Sequence, residues 1–291
     1  MTPDQYCQEQ AARSGSSFYY SFLFLEPQER RDITALYAFC RAVDDAVDEP
    51  GDPAVARARL DWWREELGRL YAGSPQHPVS RALVPAIERC DLAQESFTEI
   101  IDGMEMDLDH AGYADFHELA LYLHRAAGVV GMLSAEIFGY QDRQTLKYAH
   151  TLGLAFQLTN IIRDVGEDAR RGRIYLPRDE LERFGVPERD VLETRHSAAF
   201  ERLMAFQLAR AQEHYQRAEA LLPEADRWRQ RAGLVMAAIY RATLDEIAAD
   251  GFHVLDRRIA LTPLRKFWLA WRTLRRERRR HRRWRKTRAA A

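Results

Sequence analysis

The 291-residue sequence has few of the residues that interrupt helices or mark tight turns between strands. It contains eleven prolines and fifteen glycines, whereas Ala, Leu, Arg and Glu dominate throughout, which favours a mostly helical fold. It also lacks an internal repeat of fixed period, which argues against a solenoid. With 46% hydrophobic residues, the chain is long enough to bury a sizeable core. These features predict a globular all-α protein.

Cysteines and long apolar runs are also scarce. Cys7, Cys40 and Cys90 show no CxxC spacing, which fits reduced thiols and argues against a zinc site or a disulfide framework. No apolar run approaches the roughly 18 residues that span a bilayer. The first residues lack the hydrophobic region of a secretory signal. We therefore expect a cytoplasmic protein.

Hydrophobic periodicity predicts about eight helices and no strand. Turn signals such as EPGDP, GSPQHP, RRGRIYLP and FGVP separate the periodic segments. The predicted helices cover residues 29–48, 55–71, 79–90, 93–108, 116–138, 144–168, 198–222 and 227–250, with weaker helical patterning to the C-terminus.

Charge is distributed unevenly, although the formal net charge is only −1. Residues 272–288 hold eleven Lys or Arg residues and one acid, whereas residues 1–271 hold 32 basic and 43 acidic residues, a net charge of −11. The acidic body suggests cation binding, and the basic tail suggests contact with a polyanionic surface. Trp268, Trp271 and Trp284 suit a membrane interface at least as well as nucleic acid. A solvated, partly frayed helix end is the simpler alternative.

The stretch FCRAVDDAVDE places Asp44 and Asp48 four residues apart, on one face of a predicted helix. Like charges at this spacing destabilise an isolated helix by about 0.2–0.5 kcal/mol per pair. The face must therefore be fully solvated, or a bound cation must compensate the charge.

A second helix repeats this arrangement in the stretch LGLAFQLTNIIRDVGED. Gln157, Asn160, Asp164 and Asp168 follow at spacings of three, four and four on one face of an otherwise apolar helix. Such a polar stripe usually lines a cavity or a polar interface. Two faces of this kind can meet across a cavity, although a single Asp-x-x-x-Asp spacing is common by chance on solvated helices.

Carboxylate and amide oxygens without His or Cys suit a hard cation, Mg²⁺ above all, which takes phosphate oxygens as further ligands. We therefore expect a phosphate or diphosphate ester as the ligand. Arg41 and Arg163 flank the two motifs, and arginine can hold a diphosphate bidentately. The alternative for each arginine is a salt bridge to a neighbouring Asp, which is compatible with an unliganded state.

Four stretches, SSFYYSF, ALYAFCRAVDDAVDE, YLHRAAGVVG and QLTNIIRDVGEDARRGRIYLP, resemble the squalene/phytoene synthase family in order and spacing. The resemblance extends to about Leu264. It implies an all-α class I isoprenoid synthase fold over residues 1–264, with two aspartate-rich helices at the mouth of a deep apolar cavity, followed by a basic tail at 265–291. The stretches SGSSFYYSFLFL, DWWREEL, GMEMDLD and RGRIYLP look closest to the bacterial presqualene diphosphate synthases of hopanoid pathways.

The resemblance also implies roles for individual residues. The ligands of Mg²⁺, with Mn²⁺ as an alternative ion, would be Asp44, Asp48, Asn160, Asp164 and Asp168. The substrate-binding residues would be Ser17, Phe18, Phe22, Arg41, Val130, Gln157, Arg163, Tyr240 and Arg257, with the adjacent Arg258 as an alternative to Arg257. The catalytic residues would be Tyr37, Tyr122, Arg41 and Arg163. For each aromatic residue, ordinary core packing is the alternative.

The implied reaction is the head-to-head condensation of two farnesyl diphosphates to presqualene diphosphate, with release of diphosphate and without NADPH. A complete squalene synthase that uses NADPH and a dehydrosqualene or phytoene synthase stay open as alternatives. A non-catalytic scaffold held at a membrane by the basic tail is the alternative from another class. We expect two farnesyl diphosphates as partners, and we do not expect nucleic acid. Peripheral contact with the inner face of a membrane and a downstream squalene-pathway enzyme are further candidates.

Overall fold

The structure is a computed structural model, and it describes residues 1–13, 18–48, 52–108 and 112–289. These ranges are helical and contain no strand, which confirms the all-α prediction. The helices are α1 (Pro3–Arg13), α2 (Phe18–Phe22), α3 (Pro27–Asp48), α4 (Pro53–Tyr71), α5 (Pro78–Cys90), α6 (Gln94–Met106), α7 (Phe116–Leu123), α8 (Val129–Phe138), α9 (Gln144–Arg170), α10 (Arg178–Phe184), α11 (Glu188–Leu192), α12 (Ala198–Leu221), α13 (Arg231–Ala249) and α14 (Pro263–Ala289).

The eight predicted helices are present, and most end within two residues of the predicted positions. The predicted helix over 116–138 is divided by a π-helical turn at His124–Gly128, and α13 begins four residues later than expected. The short helices α1, α2, α10 and α11 were not predicted. Two of them, α2 and α11, have only five residues, too few to show a hydrophobic period.

Several helices begin at capping residues that satisfy their first backbone N–H groups. The side chain of Asp52 accepts a hydrogen bond from the N–H of Ala54 at the start of α4, and Ser197 accepts one from Phe200 at the start of α12. Such caps contribute about 1 kcal/mol each. They define the residues at which α4 and α12 begin.

The core consists of two apolar clusters on either side of a cavity. One cluster surrounds α9, α12 and α13, and the other surrounds α3, α5 and α6. Phe18 and Ala126 are packed against both clusters. Because α3 belongs to one cluster and α9 to the other, their acidic motifs face the space between the clusters.

The helix α9 approaches α8 and the π-helical turn before it at glycines. A Cβ atom on Gly131 would lie 2.3 Å from the carbonyl oxygen of Ala149, and one on Gly153 would lie 2.3 Å from the carbonyl oxygen of Ala127. Real Cβ atoms are not found at such distances from backbone atoms. Only glycine at these two positions allows the helix backbones to come this close.

The helix α14 contains the basic tail, and one of its sides packs against the rest of the protein. Ala270 and Thr273 are buried, and the carboxylate of Glu277 accepts a hydrogen bond of 3.0 Å from Nε of Arg227, a pair buried on both sides. Breaking such a pair by removing one partner costs about 3–5 kcal/mol. The predicted boundary between the domain and the basic tail, at residues 264/265, therefore falls at the start of α14. The first four turns of this helix pack against the rest of the protein.

None of the helices in the described ranges combines the length and the apolar composition needed to cross a membrane.

Candidate active site

A cavity of about 820 Å³ lies between α3, α8, α9 and α13. It is lined by nearly all of the site residues expected from the sequence, namely Phe18, Phe22, Tyr37, Arg41, Asp44, Asp48, Tyr122, Val130, Gln157, Asn160, Arg163, Asp164, Asp168 and Tyr240. Ser17, also expected there, lies outside the described residues. The structure therefore brings residues from both ends of the sequence to one cavity, as the resemblance implied.

The cavity is long and has a charged end and an apolar end. Tyr148 near the start of α9 and Asp164 near its end both line it. Sixteen residues of helix separate them, which corresponds to about 24 Å. Phe138 at the end of α8 also lines the cavity, at the end occupied by Tyr148 and away from the acidic motifs. A ligand with a charged head and a long apolar tail matches this shape.

The acidic motif of α3 is held by arginines. Arg41 lies 3.0 Å from Oδ2 of Asp44, one helical turn away. The two oxygens of Asp48 accept hydrogen bonds of 2.8 Å from Arg171 and Arg173, which follow α9 in the sequence. Arg41 is therefore an ion-pair partner of Asp44, and Asp48 joins α3 to the segment that follows α9.

The acidic motif of α9 is held at one carboxylate only. Asp164 pairs with Arg163 at 2.7 Å and with Arg258 at 3.1 Å. Asn160 donates a hydrogen bond of 3.1 Å to Gln157, but its Oδ1 atom is buried and accepts no hydrogen bond from the described residues. Asp168 makes no ion pair within the same part of the chain. This motif therefore has one carboxylate without an ion pair, that of Asp168, and one buried amide oxygen without a hydrogen bond, both within the described residues.

Burial and mutual repulsion raise the pKa of one carboxyl group in each motif. Burial, followed by the charge of Asp48, raises the pKa of Asp44 to about 7. Burial, followed by the charge of Asp164, raises the pKa of Asp168 to about 7. Asp107 adds to both shifts, so its charge reaches both motifs. The carboxylates of each motif therefore repel one another, and a bound cation would relieve this repulsion.

Asp107 is a site residue that the sequence analysis did not identify. It lines the cavity, and its carboxylate accepts hydrogen bonds of 2.8 Å from the hydroxyl of Tyr175 and 3.4 Å from that of Tyr122. Burial raises its pKa to about 6 against the opposing effect of the Tyr175 hydrogen bond. The stretches GMEMDLD and RGRIYLP, which contain Asp107 and Tyr175, are the signals that could have indicated both residues.

Of the two arginines considered for substrate binding, Arg257 lies outside the cavity and Arg258 lines it. The guanidinium of Arg257 pairs with Asp250, its side chain is largely exposed, and it does not line the cavity. The adjacent Arg258 lines the cavity and pairs with Asp164, and Lys266 also lines it. Successive residues in this loop between α13 and α14 point in different directions, and it is the side chain of Arg258 that lines the cavity.

Aromatic rings form the wall next to the charged groups. The ring of Phe18 lies 5.6 Å from that of Tyr37 and 6.4 Å from that of Tyr240, and Phe156 lies 5.0 Å from Tyr240. Arg163 also hydrogen-bonds the hydroxyl of Tyr240. The aromatic faces therefore stand beside the arginines, where they can stabilise positive charge on a ligand.

The donor atoms at the mouth fit a hard divalent cation. They are carboxylate and amide oxygens, and the unpartnered Oδ1 of Asn160 is one of them. In the described ranges, no three His, Cys, Asp or Glu side chains stand close enough to hold a metal ion by themselves. Mg²⁺ is commonly bound by one or two carboxylates together with substrate phosphates and water. The arrangement therefore fits an ion that binds together with its ligand.

An all-helical bundle with two acidic helices facing one deep apolar cavity defines the class I isoprenoid synthases, and the fold comparison agrees. The chain belongs to the squalene/phytoene synthase family of prenyltransferases, whose family model, described as "Squalene/phytoene synthase", matches residues 11–265. The resemblance stated from the sequence is thus confirmed at the level of the family.

Individual relatives support this assignment. Phytoene synthase 3, chloroplastic, from Zea mays is 37% identical over 269 residues, which are 89% of this chain and 62% of the relative. A crystal structure of a dehydrosqualene synthase has a TM-score of 0.84 at 28% identity, covering 93% of this chain and 95% of the other. The squalene synthase HpnC from Alicyclobacillus acidocaldarius has a TM-score of 0.74 at 32% identity, covering 86% and 94%. The chain thus spans less than two thirds of the maize enzyme.

Proposed function

We propose that the protein condenses two farnesyl diphosphates head to head to presqualene diphosphate, with release of one diphosphate and dependence on Mg²⁺. The observation that carries this proposal is the meeting of two oxygen-rich motifs and several arginines at the mouth of one long apolar cavity. A family whose members join prenyl diphosphates supports the same reaction class.

The charged end binds the diphosphate groups. Arg41, Arg163 and Arg258 surround the acidic motifs, and their guanidinium groups hydrogen-bond the leaving diphosphate and balance its charge as the C1–O bond breaks. Bound Mg²⁺ supplies additional Lewis-acid neutralisation of diphosphate charge. Asp44, Asp48, Asn160, Asp164 and Asp168 would hold this ion.

The apolar part of the cavity holds the two prenyl chains side by side. Phe18, Phe22 and Val130 contact the chains and exclude water, so the allylic cation left by the first diphosphate is not quenched. Holding two flexible chains in this orientation removes much of the entropy cost of the bimolecular step. The double bond of the second farnesyl diphosphate then attacks the cationic carbon, and loss of one proton closes the cyclopropane ring.

The rings of Tyr37 and Tyr240 stand beside the arginines and stabilise the cation through their faces. Tyr122 is oriented by Asp107 and Gln157, whose side chains both lie 3.4 Å from its hydroxyl. We assign Tyr122 a place near the reacting carbons, held there by Asp107. The released diphosphate can itself accept the proton.

A second candidate is condensation of two geranylgeranyl diphosphates. It is favoured by the name of the maize relative, a phytoene synthase at 37% identity. The dehydrosqualene synthase and squalene synthase among the similar structures favour instead the proposed farnesyl substrate. Both candidates use the same type of head-to-head condensation and differ in the length of the prenyl chains.

The test is to incubate the purified protein with Mg²⁺ and either farnesyl or geranylgeranyl diphosphate, with and without NADPH. Products are identified by mass spectrometry before and after phosphatase treatment. The proposal predicts presqualene diphosphate from farnesyl diphosphate, unaffected by NADPH. Squalene formed only with NADPH, or turnover of geranylgeranyl diphosphate alone, would assign the protein to one of the alternatives. No turnover of either substrate would favour a non-catalytic role.

A further inference from the structure

The start of α14 exposes a group of large apolar side chains on one face. Leu264, Phe267, Trp268 and Trp271 are between 46% and 84% exposed, and they make up four of the nine exposed large apolar residues in the described part of the chain. Their spacing of three, one and three places them on one side of the helix. This side lies opposite the buried Thr273 and Glu277.

The same side of α14 continues as a row of basic residues. Arg275, Arg278, Arg279, Arg282 and Lys286 follow the apolar group at helical spacing, and all are exposed. In the described ranges, none of these five makes an ion pair. We call this row together with Leu264, Phe267, Trp268 and Trp271 the α14 stripe.

The acidic residues near α14 form ion pairs with basic residues that do not belong to the stripe. Arg265 pairs with Glu246, and Arg280 lies 2.6 Å from Glu224. Glu277 is buried against Arg227. The positive charge of the α14 stripe is therefore not neutralised by the described part of the protein.

Arginines also lie over the exposed indole rings. The guanidinium of Arg272 lies 5.0 Å from the ring centre of Trp268, and that of Arg275 lies 5.2 Å from the ring centre of Trp271. Tryptophan with a neighbouring arginine suits the boundary between lipid head groups and acyl chains, where the ring is partly buried and the charge meets phosphate.

The α14 stripe begins beside the mouth of the cavity. Lys266, on the same helix, lines the cavity, and the charges of Arg163 and Arg258 contribute to lowering its pKa below the usual value, after burial. Phe267 packs against Phe24 at the end of the segment that follows α2, with ring centres 6.3 Å apart. By helical spacing, Lys266 lies on the side of α14 opposite Leu264 and Trp268, so the stripe itself faces away from the cavity.

We propose that the α14 stripe docks the protein on the surface of an anionic lipid bilayer. The four apolar side chains enter the boundary region, and the arginines and Lys286 contact the phosphates of the head groups. A nucleic acid would use the same arginines but would leave Leu264 and Phe267 without a counterpart.

The test measures sedimentation of the full chain with vesicles of phosphatidylcholine alone and of equimolar phosphatidylcholine and phosphatidylglycerol. We expect strong binding only to the second kind. The triple variant Arg275→Gln, Arg278→Gln, Arg282→Gln should bind about a hundredfold more weakly, since each basic residue near such a surface contributes about fivefold. The double variant Trp268→Ser, Trp271→Ser should lose about tenfold.

The matched control removes the same charge from another surface. Arg189, Arg202 and Arg217 are exposed on α11 and α12, and their triple replacement by Gln should change vesicle binding less than about threefold. Deletion of the tail is not a suitable variant, because it would leave the buried Arg227 without Glu277. Thermal unfolding verifies that each variant is folded.

Three outcomes would overturn the proposal. They are equal binding to both kinds of vesicle, equal losses in the stripe and control triple variants, and duplex DNA binding as tight as vesicle binding with no effect of the Trp268 and Trp271 replacements. The measurement uses no substrate, so its failure would leave the proposed reaction untouched, and failure of the reaction would leave the docking result valid.

Discussion

The two acidic motifs have the same Asp-x-x-x-Asp spacing, but they differ in how many of their carboxylates pair with arginine. In α3, both Asp44 and Asp48 are paired with arginines. In α9, only Asp164 is paired, while Asp168 and the Oδ1 atom of Asn160 make no such contact with the described residues. Within the described residues, the α9 motif thus keeps one carboxylate without an arginine partner, whereas both carboxylates of the α3 motif are paired.

The arginines that pair with Asp48 suggest how this difference between the motifs could affect metal binding. Asp48 is held by Arg171 and Arg173, which are also suited to bind diphosphate. A bound diphosphate would offer these arginines a second anion and would release the carboxylate of Asp48 for metal binding. We therefore expect that substrate promotes metal binding at α3 more strongly than at α9.

The largest expected effect comes from removing a carboxylate from either motif. Asp48→Asn and Asp164→Asn should each lower turnover about a thousandfold or more, because each removes a metal ligand and a counter-charge at the diphosphate site. Steady-state rates with farnesyl diphosphate, at saturating Mg²⁺, measure the loss. If either variant kept near-wild-type rates in a folded protein, that motif would not hold the metal.

A smaller effect should distinguish the two arginines that cover Asp48. Arg173 is mostly buried and also donates a hydrogen bond of 3.1 Å to the carbonyl of Val47, whereas Arg171 is about half exposed. Arg173→Gln should reduce kcat/KM about a hundredfold, and Arg171→Gln less than about tenfold. Equal losses in the two variants would show that burial does not separate their roles.

At the other motif, Arg258→Gln and Arg257→Gln form a matched pair. Arg258 reaches the cavity and Asp164, whereas Arg257 pairs with Asp250 outside it. We expect about a tenfold rise in KM for Arg258→Gln and less than about a twofold change for Arg257→Gln. The reverse order would restore the prediction made from the sequence.

The smallest effect is proton release on metal binding. Asp44 and Asp168 both have a pKa of about 7, above the usual 3.8, so the folded protein binds protons that the unfolded chain has lost. Their contribution to stability is present below about pH 4 and is lost as the pH rises through 7. At pH 7, Mg²⁺ should displace about half a proton from each carboxyl group.

Calorimetric titration with Mg²⁺ in two buffers of different ionisation enthalpy measures this release. Asp44→Asn and Asp168→Asn should each remove about half of it. Metal affinity in the wild type should also rise between pH 6 and pH 8. Binding without proton release would mean that the ion does not contact these carboxyl groups.

The sequence was sufficient to predict the fold class and most of the residues that the structure brings to one cavity. Long helices such as α3, α9 and α12 have many turns of clear periodicity, and the spacing of four between Asp44 and Asp48 fixes their common face whatever the exact helix ends. The convergence of α3 and α9 on one cavity is a tertiary feature, and it was accessible through the family resemblance.

The remaining site residues depend on parts of the chain that periodicity does not describe. Arg257 and Arg258 lie in a loop, where neither residue has a predictable direction. Asp107 follows the last residue of α6, and Tyr175 lies in the segment after α9, so their hydrogen bond joins two regions with no fixed geometry in sequence. Only the packed structure places them beside Tyr122.

The close approach of α8 and α9 has a consequence for which substrates the family fold can accept here. Backbone atoms set how closely α9 approaches α8 and the π-helical turn at Gly131 and Gly153, so a larger residue at either position would push these segments apart. Phe138 and Tyr148, at the apolar end, can be replaced by smaller residues. We therefore expect a change of specificity for the length of the prenyl chain to begin at these two side chains, while the two glycines keep the helices at their present separation.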